Sequence, residues 1–202
     1  MRILNDIVHH ISLFVAYIIV HVFFPFKVIG KKNLPKKGPY MLYANHLSAW
    51  DPIILAVLLA PKKGYFMAKK ELFETKIMAW IYDSWGAFPV NRDNADITAV
   101  KTSIQHLKND DIMIIFPEGT RNLKKDGEVQ DFHNGVGIIA LKTKCKVVPV
   151  YIDCVGGYHL FKRFTIKINK SFAMEEYAEK GLHRENLNAC VDKMRDAMVE
   201  LM

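Results

Sequence analysis

The stretch "NHLSAWDP", from Asn45 to Pro52, places a histidine and an aspartate five residues apart. An aspartate that hydrogen-bonds one ring nitrogen of a histidine fixes its tautomer, which leaves the other nitrogen to take a proton from a hydroxyl. On a continuous helix, at ~100° per residue, His46 and Asp51 would lie about 140° apart and could not meet. A catalytic pair therefore needs the turn that the residues between them supply.

The same residues also fit the start of a helix without any chemistry. Ser48 and Asp51 have the spacing of a capping box, and Asp51 directly before Pro52 is a favourable N-cap. Taken alone, the motif leaves the catalytic pair and the helix cap equally open.

A second polar group follows a strand-like run in "IIFPEGTRN", Ile114 to Asn122. The carboxyl end of a parallel strand is where ligands bind in α/β sheets. Gly119 permits close approach of the backbone, and the fork of Arg121 suits phosphate oxygens. The plain alternative is a polar loop with a solvated arginine.

Further cations lie between and beside these motifs. Lys69 and Lys70 are adjacent in "MAKKELF", and Arg92 closes "GAFPVNR". Each would be an ordinary surface cation if seen alone, but their order along the chain makes them candidates for a cationic wall. Among the other histidines we expect none to face a carboxylate at a useful spacing, and only His133 is a second-rank candidate.

The elements that position these residues alternate along the chain. Strand-like runs are "YMLYA", "GYFMA", "DIMIIF", "KVVPVYI" and "FTIKI", and helical patterns follow Asp51, span Asp96 to Lys108 and close the chain after Leu187. Such alternation predicts an α/β fold with a mostly parallel central sheet flanked by helices. With 202 residues, of which 50% are apolar, the chain is expected to form one domain.

The N-terminus carries an apolar run, "ISLFVAYIIVHVFFPF", from Ile11 to Phe26, followed by lysines. The run is shorter than the roughly 20 residues of a spanning helix, and no small-residue cleavage site follows it. We therefore expect a membrane-associating helical segment over residues 1–30, interfacial rather than spanning, and a domain over 31–202. A buried core helix is the alternative.

Net charge and cysteine content limit the classes of partner and the cellular location that the chain could have. The net charge of +7 favours an anionic partner, which could be nucleic acid, a phospholipid surface or a phosphorylated substrate. Three cysteines without a C-x-x-C pair indicate neither a disulfide framework nor a zinc site, which fits a reducing, cytosol-facing location.

In these motifs the chain resembles the glycerolipid acyltransferases, most closely the bacterial 1-acyl-sn-glycerol-3-phosphate acyltransferases. The resemblance rests on four blocks in order, "NHLSAWDP", "GAFPVNR", "FPEGTRN" and "VVPVYI", within roughly Val28 to Asp153. One departure is Asn91, where many relatives carry aspartate.

The resemblance implies transfer of a fatty acyl group from a thioester, on coenzyme A or acyl carrier protein, to the 2-hydroxyl of lysophosphatidic acid. His46 would be the general base, Asp51 its orienting partner and Arg121 the binder of the acceptor phosphate. The remaining block residues would line the substrate site: Glu118, Gly119, Thr120, Lys69, Lys70 and Arg92. No cofactor and no metal are implied, and the location would be the cytoplasmic face of a membrane.

Two rival functions stay open. The acceptor could be glycerol 3-phosphate or another lysolipid, because pocket shape decides such choices. A non-catalytic membrane-binding module is a rival of another class, which the intact His46 and Asp51 argue against. A nucleic-acid binder lacks a recognisable motif and leaves the apolar N-terminus unexplained.

Overall fold

The computed structural model describes residues 2–91, 96–124 and 126–202. Within these ranges the strands are β1 (Phe26–Ile29), β2 (Tyr40–Ala44), β3 (Gly64–Lys69), β4 (Ala87–Val90), β5 (Ile112–Ile115), β6 (Lys146–Asp153) and β7 (Phe164–Ile168). The helices are α1 (Arg2–Phe23), α2 (Asp51–Leu59), α3 (Lys76–Ser84), α4 (Ile97–Lys108), α5 (Asn134–Thr143), α6 (Glu175–Lys180) and α7 (Arg184–Val199).

The described strands form one sheet in the order β1-β7-β6-β2-β5-β3-β4. From β6 to β4 all neighbours are parallel, whereas β7 runs antiparallel to β6 and β1 runs parallel to β7. One face packs against α1 and α2, and the other packs against α4, α5 and α7. The predicted α/β fold with a mostly parallel, helix-flanked sheet is confirmed.

The two edge strands were not predicted from the sequence. β1 and β4 have four residues each and no long apolar run, and β4 lies in "GAFPVNR", which was not among the predicted strands. Pro89 within β4 is tolerated because an edge strand has one side without hydrogen-bonding neighbours. β1 has no buried residue and β4 has only Ala87 buried, so neither strand shows the apolar pattern by which buried strands are predicted.

Helix α1 is longer than the apolar run indicated, since it begins at Arg2 and ends at Phe23. By length and composition alone, its window Asp6–Phe23 could cross a membrane. One stripe of the helix, formed by Leu13, Ala16 and Val20, is buried in the core shared with α2.

The expected division after residue 30 does not coincide with a break in the packing. β1 lies in the sheet, where Phe26 pairs with Phe164 and Ile29 with Lys167. The chain therefore passes from α1 into the sheet before residue 30, and the apolar helix and the domain share one core.

Substitution of Gly30, which follows β1, tests whether the pairing of β1 with β7 stabilises the fold. The φ of Gly30 is 81°, and an added Cβ would collide with the carbonyl oxygen of Ile168 in β7. We expect Gly30→Ala to lower the free energy of unfolding by about 2–4 kcal/mol, measured by chemical denaturation.

Gly38 is the matched control for this substitution. It has the same φ of 81°, but its Cβ would meet nothing within 4 Å. Gly38→Ala should cost only about 1 kcal/mol for the left-handed conformation. Equal losses for the two variants would show that the contact between β1 and β7 is dispensable.

Candidate active site

The predicted site residues converge on the edge of the sheet where the parallel strands end. His46 follows β2, and the segment from Glu118 to Arg121 follows β5, the neighbour of β2. The backbone N–H of Asn122 donates to the carbonyl oxygen of His46 at 2.7 Å. The two loops are therefore joined directly, which places Arg121 one residue from a contact with the histidine.

His46 and Asp51 form a close, buried pair. The Nδ1 atom of His46 lies 2.7 Å from Oδ2 of Asp51, and the two residues are 5% and 0% exposed. The same Oδ2 accepts from the N–H groups of Leu47 at 2.6 Å and Ser48 at 2.8 Å. The contact through Nδ1 leaves Nε2 as the nitrogen that can take a proton.

The helix-cap interpretation is wrong for Asp51 as the N-cap, although Asp51 does accept from the N–H of Ser48 as the acidic residue of a capping box would. The N-cap of α2 is Trp50, which makes no side-chain capping hydrogen bond, and Asp51 is the first residue of the helix. Its carboxylate instead binds the imidazole and closes the turn that precedes α2. One side chain thus sets both the local fold and the orientation of the imidazole.

Tyr158 is hydrogen-bonded to the pair through Asp51, and nothing in the sequence pointed to it. Its hydroxyl donates to Oδ1 of Asp51 at 2.6 Å, although the two residues are 107 positions apart. Burial, reinforced by the negative charge of Asp51, raises the pKa of Tyr158 well above its ordinary value. The hydroxyl therefore stays protonated and serves as a donor. Only its place in the loop between β6 and β7, at the same sheet edge, explains the contact.

Phe116 fixes the face of the imidazole. The rings of His46 and Phe116 are stacked with centroids 4.3 Å apart and an interplanar angle of 24°. Because Asp51 holds the ring at one nitrogen and Phe116 covers one face, His46 has little freedom to rotate. Such preorganisation is what a general base needs.

Glu118 is buried beside this pair. It is 3% exposed, and burial raises its pKa from 4.5 to about 7, although the nearby backbone N–H groups of His46 and Gln130 oppose the shift. Within the described residues neither carboxylate oxygen has a partner at full hydrogen-bond geometry. Close to neutral pH this carboxyl group exists in both protonation states, which makes it a polar group poised at the site.

Gly119 has a φ of 70°, and the side chain of His133 occupies the space that a Cβ at this position would need. A Cβ at this glycine would lie 2.6 Å from Cδ2 of the His133 ring, while the His133 N–H donates to the carbonyl oxygen of Pro117 at 2.9 Å. The close approach predicted for Gly119 is therefore made to a side chain of the protein itself. His133 stands at the start of α5, beside the "EGTR" loop.

The other predicted substrate-binding residues are not all close to His46 and Asp51. Thr120 and Arg121 are exposed at the site, whereas Lys69 and Lys70 are exposed where β3 ends, two strands from β2. Lys69 forms an ion pair with Glu71 at 3.5 Å. Arg92 lies outside the described residues.

A second histidine and aspartate pair corrects our expectation for His106. Its Nδ1 lies 2.8 Å from Oδ2 of Asp111, which is also five residues away. This pair is partly exposed and precedes β5, so it stands at the opposite edge from His46. The spacing alone therefore does not identify a catalytic pair.

Across the described ranges, no group of three or more His, Cys, Asp or Glu residues is arranged to hold a metal.

The fold and this edge define an α/β protein with a buried histidine and aspartate pair beside an arginine-bearing loop. A family model described as "Acyltransferase" matches residues 25–153, and the chain belongs to that family.

Individual relatives agree with the family assignment. The chain is 39% identical over 112 residues to a 1-acyl-sn-glycerol-3-phosphate acyltransferase of Streptococcus pneumoniae, a match covering 55% of this chain and 40% of that protein. It is 36% identical over 143 residues to a protein of the same name from Bacillus subtilis, covering 70% of each chain. The match spans less than half the length of the Streptococcus pneumoniae protein.

A solved structure supports the fold alone. It is described as the 1-acyl-sn-glycerophosphate (LPA) acyltransferase PlsC from Thermotoga maritima, and it superposes with a TM-score of 0.64 at 21% identity. The superposition covers 100% of this chain and 98% of that one.

Tyr158→Phe should impair the pair without removing either member. Loss of the hydroxyl leaves a buried carboxylate oxygen of Asp51 without its donor, which costs about 1–3 kcal/mol of stability. Because Asp51 then holds the imidazole less firmly, we expect the acyl-transfer rate to fall roughly tenfold.

Tyr43→Phe is the matched control. The hydroxyl of Tyr43 is also buried, and it donates to the carbonyl oxygen of Met194 at 2.9 Å, on the other face of the sheet. This variant should lose comparable stability in denaturation and keep its rate. A normal rate for folded Tyr158→Phe would contradict the role given to Tyr158.

Proposed function

We propose that this chain is a 1-acyl-sn-glycerol-3-phosphate acyltransferase. It transfers a fatty acyl group to the 2-hydroxyl of lysophosphatidic acid and forms phosphatidic acid. The observation that carries the proposal is the buried contact of 2.7 Å between His46 and Asp51 at the carboxyl edge of the sheet. The names of the relatives support the acceptor.

His46 is the general base of this reaction. Its Nε2 removes the proton from the acceptor hydroxyl as the hydroxyl oxygen attacks the thioester carbonyl carbon. The new C–O bond forms, the C–S bond breaks, and the departing thiolate takes the proton from the imidazolium. Asp51 keeps Nδ1 protonated and stabilises the charge that the ring gains in the transition state.

This route needs no acyl group on the protein. The three cysteines, Cys145, Cys154 and Cys190, are buried, and burial raises the pKa of the Cys145 and Cys190 thiols. A thiol with a raised pKa is a poor nucleophile at neutral pH. Direct attack by the acceptor hydroxyl is therefore the simplest chemistry for this site.

Arg121 binds the phosphate of the acceptor. It is exposed at the mouth of the site, and the hydrogen bond of its neighbour Asn122 to His46 holds the backbone of this loop beside the histidine. Gly119 and Thr120 shape the same loop, and Glu118 contacts the acceptor glycerol or orders the loop. Lys69 and Lys70 extend the cationic wall to the end of β3, and Arg92 is a further cation for substrate binding.

The donor is an acyl thioester of coenzyme A or of acyl carrier protein, and neither a cofactor nor a metal takes part. The enzyme works at the cytoplasmic face of an anionic membrane, where residues 1–30 supply the membrane-associating segment. Packing of α1 on α2 and the pairing of β1 favour an interfacial helix, because a span would carry the packed domain into the bilayer. The same contacts make residues 1–30 a part of the folded unit rather than a removable anchor.

His46→Ala should abolish acyl transfer and leave the fold intact. Loss of a general base typically lowers the rate on the order of 100- to 10,000-fold. The measurement is product formation from lysophosphatidic acid, and in parallel from glycerol 3-phosphate, with both thioester donors.

His106→Ala is the control, because His106 belongs to a pair of the same spacing at the opposite edge. It should retain near-normal activity. Near-normal turnover by folded His46→Ala protein would rule out the mechanism, and product from glycerol 3-phosphate alone would refute the acceptor.

Arg121→Ala should weaken use of the acceptor far more than use of the donor. Loss of charge-assisted hydrogen bonds to the phosphate should raise the KM for lysophosphatidic acid roughly 10- to 100-fold. Lys124→Ala removes a second exposed cation from the same loop and should change neither KM appreciably. Equal effects of Arg121→Ala on donor and acceptor would refute the assignment.

A further inference from the structure

The loop 155–163 joins β6 to β7 at the same edge of the sheet as His46. It has an apolar tip, since Leu160 is 62% exposed and Phe161 is 66% exposed. Two adjacent large apolar side chains that face water usually mark a surface that binds something.

The backbone of the tip holds Phe161 in an unfavourable conformation. Its φ is 62°, in the left-handed region that bulky residues rarely adopt. The N–H of Phe161 donates to the carbonyl oxygen of Phe23 at 2.8 Å, and the two rings lie 5.6 Å apart. The end of α1 thus fixes a strained residue with its ring turned to solvent, a cost that folding alone does not explain.

The apolar tip continues the exposed face of α1. Along that face the large apolar residues more than 45% exposed are Ile7, Ile11, Phe14, Val15, Tyr17, Ile18 and Val22, and the exposed His10 and His21 lie among them. Phe23, which contacts Phe161, extends the face to the loop. Together they form one apolar surface that runs along the helix and ends beside the active-site edge.

Cations lie at both ends of this apolar surface. Lys162 and Arg163 follow the tip and are exposed. Near the start of α1, Lys63 lies close to Asp6 and His9, and a surface cavity there is lined by four lysines, Lys36, Lys37, Lys62 and Lys63, together with Asp110 and Asp111. An apolar strip with cations at each end matches a bilayer interface with anionic head groups.

We propose that loop 155–163 is a second membrane-contact element, in which Leu160 and Phe161 enter the head-group boundary of an anionic bilayer while Lys162 and Arg163 bind lipid phosphates. This inference rests on the membrane association proposed above and adds a surface beyond residues 1–30. With α1 lying in the interface, the loop turns the His46 edge towards the lipid from which the acceptor arrives.

A bilayer suits this surface better than an acidic carrier protein. The tip is continuous with about five turns of exposed apolar helix, which is far more apolar surface than a small acidic partner covers. A carrier protein that docked through Lys162 and Arg163 would use the cations without the apolar tip.

The first experiment locates the tip directly. A Cys at position 160, made by Leu160→Cys, can be labelled with an environment-sensitive fluorophore because the three native cysteines are buried. With vesicles of equal phosphatidylglycerol and phosphatidylcholine, the label should shift to shorter wavelength and be quenched by nitroxide-labelled lipid.

Val199→Cys provides the matched control. Val199 is 38% exposed at the end of α7, where Asn169 beyond β7 contacts the carbonyl oxygen of Ala197. This position is at the other end of β7 from the loop, so its label should stay unquenched. Vesicle-bound protein without quenching at position 160 would overturn the proposal.

The second experiment separates docking from folding and from catalysis. In the double variant Leu160→Ser, Phe161→Asn, asparagine suits the left-handed conformation, so thermal stability should be unchanged or higher. Loss of the two apolar side chains should weaken binding to the same vesicles roughly 10- to 100-fold. Activity on detergent-dispersed lysophosphatidic acid should stay within about twofold of the wild type.

Each failure has its own signature. Wild-type binding of the double variant to vesicles would overturn the docking proposal, whatever the activity. A raised KM for acyl carrier protein thioester with unchanged vesicle binding would also overturn it, in favour of a carrier-protein surface. Failure of the proposed function is distinct, because the wild type would then produce no phosphatidic acid even in detergent.

Discussion

The Asp51 carboxylate is the interaction on which the rest of the site depends. It is fully buried, and it accepts hydrogen bonds from Leu47, Ser48, His46 and Tyr158. A buried charge is tolerable only when it is extensively hydrogen-bonded, so all of these donors must be in place when the chain folds. This one carboxylate therefore fixes the turn after β2, the start of α2, the orientation of the His46 ring and the loop after β6.

The neighbouring strands hold this assembly from both sides. The side chain of Asn45 both donates to and accepts from the backbone of Ile152 in β6, at 3.1 and 2.7 Å. On the other side, the Asn122 N–H binds the carbonyl oxygen of His46. Because β6, β2 and β5 are adjacent and parallel, these bonds join three strand ends at one edge. The sheet thus gives the histidine fixed neighbours, which a loop by itself would not provide.

Sequence patterns predicted the parts that carry long-range regularity. β2 and β7 were found at their observed limits because continuous or alternating apolar runs mark buried strands. β1 and β4 were not predicted, because an edge strand of four residues has too few positions to show an apolar pattern. For the site, spacing was not sufficient: His106 and Asp111 have the spacing of the buried pair, yet they lie at the other edge. The role of Tyr158 could not be predicted from the sequence, because its hydrogen bond to Asp51 forms only when β6 lies beside β2 in the sheet.

The N-terminal helix shows how packing decides what composition leaves open. An apolar run can belong to a span, an interfacial helix or a core, and all three have the same residues. Here Leu13, Ala16 and Val20 belong to the core, whereas Phe14 and Ile18 between them are exposed. A helix with one stripe in the protein and a largely apolar exposed side is what the interfacial position proposed for it requires. Because Phe23 and Phe24, at the end of the helix, contact Phe161 and Tyr158, direct contacts join the helix, the loop tip and the edge of the sheet that carries His46.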